Sequence, residues 1–175
     1  MTQRHGTTYF QETLARGIAF EQGEALATLH KVFPDRFIMN NQIDPSETTG
    51  GQVIGPRLYK GENRDKAIIA PDFVMFDNKG RASWIDAKLK KSSYSFKGRR
   101  YFSVDKTKHE KYKTFPNWMR DNFYFLFKNE ESGKLHLAKF RDDPATVYFN
   151  NQYDRGEVPI YYLDDITELQ IPEDK

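Results

Sequence analysis

Three charged residues in one short stretch carry the most specific chemistry this chain offers. Asp72 follows Pro71, and Asp86 is followed two residues later by Lys88. Two carboxylates converging from adjacent strands can hold a hard divalent cation through oxygen ligands. A lysine beside them can orient an attacking water or neutralise charge on a phosphate. The residues around them are suited to bringing them together. Phe73 to Phe76 and Trp84-Ile85 are aromatic and β-branched runs, so each reads as a strand. Asp77-Asn78-Lys79-Gly80 between them is turn chemistry. Alternation along the second strand puts Ile85, Ala87 and Leu89 on one face, toward a core. Trp84, Asp86 and Lys88 fall on the other. The competing reading is an ordinary hairpin with charged residues on its wet face.

A second carboxylate-bearing element lies upstream. Residues 9–32 read as a helix in which Phe10, Leu14, Ile18, Ala25, Leu26 and Leu29 recur at three- and four-residue steps. Phe33-Pro34 ends it. Glu21 falls inside that apolar stripe, whereas Glu12 points away and Glu24 sits at its margin. A carboxylate in a buried stripe is expensive unless it is paired or bound to a cation. Glu21 is therefore either a salt-bridge partner or a third metal ligand, with Glu24 as the substitute if the helix is rotated.

Pro71-Asp72, a gap, then Asp86-x-Lys88 resembles the motif of the PD-(D/E)xK nuclease superfamily. Gly17-Ile18-Ala19-Phe20-Glu21 resembles the Gly-x-x-x-Glu pattern on the N-terminal helix of its members. The resemblance covers roughly residues 17–140. It implies an α/β fold with a restriction endonuclease-like core, a mixed central β-sheet flanked by helices. It implies Mg²⁺, with Mn²⁺ as substitute, held by Glu21, Asp72, Asp86 and the backbone carbonyl of Ala87. Lys88 completes the catalytic set with those three carboxylates. The implied activity is hydrolysis of DNA phosphodiesters by an endonuclease, structure-selective in the manner of Holliday junction resolvases. Resolvases act as dimers, so a homodimer is implied by analogy only. An exonuclease of the same superfamily and a nucleic-acid-binding module without chemistry are the alternatives.

Charge distribution bears on the partner. The net charge is only +2, yet residues 79–113 hold twelve Lys or Arg against Asp86, Asp105 and Glu110. Such a block suits a polyanion or forms a solvated face. Basic and aromatic residues interleave after Lys88, a composition suited to phosphate contacts and base stacking. Lys90, Lys91, Lys97, Arg99, Arg100, Lys106 and His109 are the candidate nucleic-acid contacts. The last two lie on a helix expected from Ser103, as N-cap, to about Phe115. Arg57 and Lys60 are further candidates in a Gly- and Pro-rich loop, 40–61.

The remaining features set bounds. The chain has no cysteine, which excludes cysteine zinc sites, iron–sulfur clusters and thiol catalysis. No apolar run reaches a membrane span of about 18–20 residues, and the N-terminus lacks the apolar stretch of a secretory signal. An intracellular, cytoplasmic protein is expected, with no membrane partner. At 175 residues a single domain is expected, with its core in 9–140 and a C-terminal extension over 141–175. The aromatic run 123–127 reads as a strand buried on both faces, with 135–140 as its hairpin partner. Short strands are expected near 36–39, 66–70, 148–149 and 160–163.

Overall fold

Asp77 ties the turn of a hairpin that lies within the main sheet. Its Oδ1 accepts from the backbone N–H of Lys79 (2.9 Å) and of Arg81 (2.8 Å). Gly80 completes the turn at φ +73°, which glycine adopts without strain. The turn joins β4 (Phe73–Phe76) to β5 (Ala82–Lys90), paired antiparallel from Phe73↔Ile85 to Phe76↔Ala82. The computed structural model describes residues 12–13, 15–41, 57–58, 68–150 and 155–172. Phe10, Leu14, Lys60 and most of the loop 40–61 lie outside them.

The fold is mixed α/β and rich in strands. The main sheet has six strands in the order β1-β4-β5-β8-β9-β12. Its other members are β1 (Phe37–Asn40), β8 (Phe123–Asn129), β9 (Leu135–Lys139) and β12 (Thr167–Glu168). All neighbours are antiparallel except β5 and β8, which run parallel. A parallel pair needs a long crossover. Here the crossover contains the hairpin β6 (Tyr94–Phe96) and β7 (Arg99–Ser103), then helices α2 (Lys106–Lys113) and α3 (Asn117–Arg120). β6 and β7 join β10 (Ala145–Asn150) and β11 (Arg155–Tyr162) in a second sheet, order β10-β11-β7-β6. β2 (Arg57–Leu58) and β3 (Ile68–Ile69) form a separate short pair.

The segment after residue 140, expected as an extension, is woven into both sheets. β10 and β11 build the second sheet on β7, and β12 extends the main one. The hairpin turn at Lys97 (φ +49°) and Gly98 (φ +76°) explains β6 and β7. Two successive residues with positive φ match the right-handed twist of the flanking strands.

Each face of the main sheet buries a separate cluster. One contains Phe20, Ala25 and Leu29 of the N-terminal helix α1 (residues 15–32) against Phe73, Ile85, Ala87 and Leu126. The other contains Tyr112, Phe115, Met119 and Tyr161 against Phe123, Phe125 and Phe127. β8 is accordingly covered on both faces. The second face of β5 is not wet, as the hairpin reading had it: Asp86 has no exposed surface. Alternation places Asp86 on that face correctly, but α2 lies over it.

α1 departs from a plain α-helix where it matters most. Residues Phe20–Ala25 form a π-helical turn, continued by the α-helical Leu26–Val32. A π turn bonds residues five apart. Phe20 and Ala25, five apart, are both buried, and Leu29 follows four later as α-helix requires.

Candidate active site

The candidate site forms where β4 and β5 part. Phe73 opposite Ile85 is the last pair of their ladder, while β5 continues to Lys90 against β8 alone. Asp72 stands one residue before that last pair. Its Oδ2 accepts the Ala87 backbone N–H at 2.6 Å, a donor that β4 would otherwise have to satisfy. Asn41 braces the approach: its Nδ2 donates to the Pro71 carbonyl at 2.9 Å, and its backbone N–H to the Asp72 carbonyl at 2.8 Å. The fork thus has a structural reason, and it brings Asp72 beside Asp86.

Asp86 is held from three directions. Lys108 Nζ donates to its Oδ1 at 2.7 Å, and the Tyr112 hydroxyl donates to the same oxygen at 2.9 Å. Lys88 forms an ion pair with Oδ2 without hydrogen-bond geometry, and donates to the Ala87 carbonyl at 3.1 Å. Burial works against the Asp86 charge. The two ammonium groups outweigh it and hold the carboxyl well below its usual range.

The other two carboxylates behave in the opposite way. Burial, then repulsion from Asp86, raises Asp72 to about 6. Glu21, on the π turn, is raised to about 8 by burial, then by Asp72. Lys88 and Lys108 lower Glu21, and Asp86 adds further repulsion, so all five charges share one field. Glu21, Asp72, Asp86 and Lys88, carried by α1, the loop before β4, and β5, thus lie within electrostatic reach of one another.

This donor set fits a hard cation. Three carboxylates and the Ala87 carbonyl supply only oxygens, and a divalent ion would relieve the repulsion that raises Glu21 and Asp72. Among the described residues no three His, Cys, Asp or Glu side chains are grouped to hold a metal as they now stand. Both oxygens of Asp86 face ammonium groups instead. Glu24, the substitute ligand, lies elsewhere: it is ion-paired with Lys128.

The basic candidates divide. Lys91, Lys97, Arg100 and Lys106 are exposed, and Lys90 ends β5 half-buried. Arg99 is committed within the protein. It bridges Asp164 at 3.2 Å and Asp165 at 2.8 Å, and its guanidinium lies 4.0 Å from the Tyr162 ring centroid. His109 is neither an exposed helix residue nor a nucleic-acid contact. It is 1 % exposed, stacks on Phe140, and pairs its Nε2 with the Arg141 carbonyl at 3.0 Å. The helix N-cap is Asp105 rather than Ser103, its side chain accepting from Lys108 N–H at 2.7 Å.

Lys108 and Tyr112 are the site residues that sequence reasoning missed. The signal was present: Tyr112 is the one large aromatic within 106–113, so its face must be the buried one. Residues three and four earlier, His109 and Lys108, share that face. No protein-family model matches this chain, and no curated protein or solved structure matches it.

Proposed function

We propose that this chain is a Mg²⁺-dependent nuclease that hydrolyses DNA phosphodiesters, with Mn²⁺ able to replace Mg²⁺. The observation that carries the reading is the shared field of Glu21, Asp72, Asp86 and Lys88 at the fork between β4 and β5. Sequence-distant residues from three elements converge there at a stability cost that folding alone does not require. The chain order supports a restriction endonuclease-like core: a helix, the antiparallel strands β1, β4 and β5, a helical crossover, then the parallel strand β8.

Glu21, Asp72, Asp86 and the Ala87 carbonyl would hold the ion. When bound, it supplies a water of lowered pKa and polarises the scissile phosphate. Asp72 is oriented for this by the Ala87 N–H, and Asp86 by Tyr112. Lys88, tethered at the Ala87 carbonyl, keeps positive charge where negative charge develops on the phosphate. Lys91, Lys97, Arg100 and Lys106 contact the backbone and so fix position rather than sequence. Selectivity for branched DNA, with the homodimer it entails, belongs to the same proposal.

A binding module without chemistry is the second reading, favoured by the ammonium groups on both Asp86 oxygens. A panel of plasmid, linear, single-stranded and four-way-junction DNA, each with Mg²⁺ or EDTA, separates the two. The nuclease cuts at least one form in Mg²⁺ and none in EDTA. Binding that is equal in both buffers, with every DNA intact, would establish the binder.

A further inference from the structure

Lys108 has no counterpart among the residues that Mg²⁺-dependent cleavage requires, yet its ammonium donates directly to Asp86. Its Nζ lies 2.7 Å from Oδ1, an oxygen that also accepts from Tyr112 at 2.9 Å. A metal at its usual distance of about 2.0–2.1 Å from the same oxygen would meet the ammonium at repulsive range. The geometry points to Lys108 as an internal cation that occupies Asp86 until a divalent metal expels it, and that then pairs with a substrate phosphate. This rests on the nuclease reading and adds a regulatory step to it.

The three groups on Asp86 differ in their freedom to leave. Tyr112 is fully buried and packed on Phe123, with ring centroids 4.6 Å apart, so it stays. Lys88 is also bonded to the Ala87 carbonyl on its own strand. Lys108 has 30 % of its side chain exposed, and its ion pair among the described residues is with Asp86. The helix need not move with it. Asp105 holds the Lys108 backbone N–H at 2.7 Å, so a rotamer change carries the ammonium outward from a fixed Cα.

The consequence is coupling. In the metal-free chain Lys108 competes with metal and weakens its uptake. Once expelled, Lys108 lacks a counter-ion, and a phosphate supplies one. Metal and DNA therefore strengthen each other's binding, by the same factor in both directions.

The test is calorimetric titration of Mn²⁺ into the DNA-free parent, Lys108→Gln, Lys108→Met, Lys108→Arg and Lys106→Gln. Lys106 is exposed on the same helix and controls for net charge. Both neutral Lys108 variants should bind Mn²⁺ about tenfold more tightly than the parent, while Lys108→Arg and Lys106→Gln stay near it. A short duplex with hydrolysis-resistant phosphorothioate linkages then reports the second half. Mn²⁺ should tighten its binding to the parent by about tenfold, and to Lys108→Gln by clearly less. Parent-like or weaker Mn²⁺ affinity in both neutral variants would overturn the competition and leave the nuclease reading standing. Undiminished coupling in Lys108→Gln would overturn the transfer to phosphate. Absence of Mn²⁺ uptake by parent and variants alike would overturn the nuclease reading itself, and this inference with it.

Discussion

Asp86 with its two lysines and Arg99 with its two aspartates are built from the same kinds of group, and their surroundings make them opposites. Asp86 has no exposed surface, and it shares one field with two more carboxylates. Its lysines offset its own charge and leave Glu21 and Asp72 raised. Arg99 has 41 % of its side chain in solvent, and its partners 68 % and 35 %. Exposed pairs of that kind contribute about 0–1 kcal/mol and are weakened by salt. Breaking a buried pair costs about 3–5 kcal/mol because a charge is left unpaired. The surface cluster is satisfied and fastens β7 to the turn after β11. The buried cluster remains short of positive charge, the condition that a divalent cation would relieve.

The largest effect that could break this contrast is on turnover. Lys88→Ala should reduce DNA cleavage by about a hundredfold or more in a protein that still folds and binds DNA, because Lys108 and Tyr112 remain on Asp86. Cleavage at the parent's rate would remove Lys88 from the mechanism. Next in size is stability. Asp86→Ala strands two ammonium groups and should lower the free energy of unfolding in urea by about 3 kcal/mol. A loss under about 1 kcal/mol would mean that the cluster behaves like a surface one.

A smaller effect concerns pH. Glu21 is raised from 4.5 to about 8 in the fold, so the folded state binds the extra proton. Its contribution to stability is fully present below about pH 4.5 and is lost as pH rises through about 8. Asp72 acts in the same direction, ending near 6. His109 and His136, lowered by burial, act in the opposite direction, but only below 6.5. Asp86 also opposes, in the acid range below 3.8. Between pH 6.5 and 8 Glu21 is thus isolated, and the melting temperature in EDTA should fall. In Glu21→Gln that fall should flatten, the metal-free melting temperature at pH 8 should match or exceed the parent's, and the rise on adding Mg²⁺ should shrink. A variant clearly destabilised in EDTA that keeps the full metal-induced rise would make Glu21 a structural salt-bridge partner.

The smallest effect is at the surface cluster. Arg99→Ala should lower the melting temperature only slightly and leave the salt dependence of DNA binding unchanged. Arg100, 59 % exposed and 3.8 Å from Glu131, is the contrasting candidate for a phosphate contact. Arg100→Ala should flatten the slope of log affinity against log salt by about one unit. A clear change with Arg99→Ala would show that its pairs with Asp164 and Asp165 open for DNA.

What was legible in sequence was what local periodicity controls. The turn at Asp77, alternation along β5 and the odd carboxylate in the α1 stripe located Asp72, Asp86, Lys88 and Glu21. The π turn under Glu21 was not legible, because it rests on how Phe20 and Ala25 meet the sheet. α2 hid its site residue for a different reason. Lys106, Lys108, Lys111 and Lys113 put lysine all around the helix, so charge alone selects no face, whereas Tyr112 does. His109 was misassigned because its partner, the Arg141 carbonyl, is more than thirty residues away in the chain, and the pairs of Arg99 with Asp164 and Asp165 were hidden for the same reason.

If Asp72 and its neighbours form one metal-dependent cleavage centre, Asp72→Asn is the decisive substitution. Asparagine keeps an oxygen able to accept the Ala87 N–H and removes a charge that the fold holds at some cost, so the variant should fold at least as well as the parent. The measurement is nicking of supercoiled plasmid by parent and variant, in Mg²⁺ and in EDTA. The parent should nick in Mg²⁺ alone, and the folded variant in neither buffer. Parent nicking that persists in EDTA, or an undiminished rate in Asp72→Asn, would contradict such a centre.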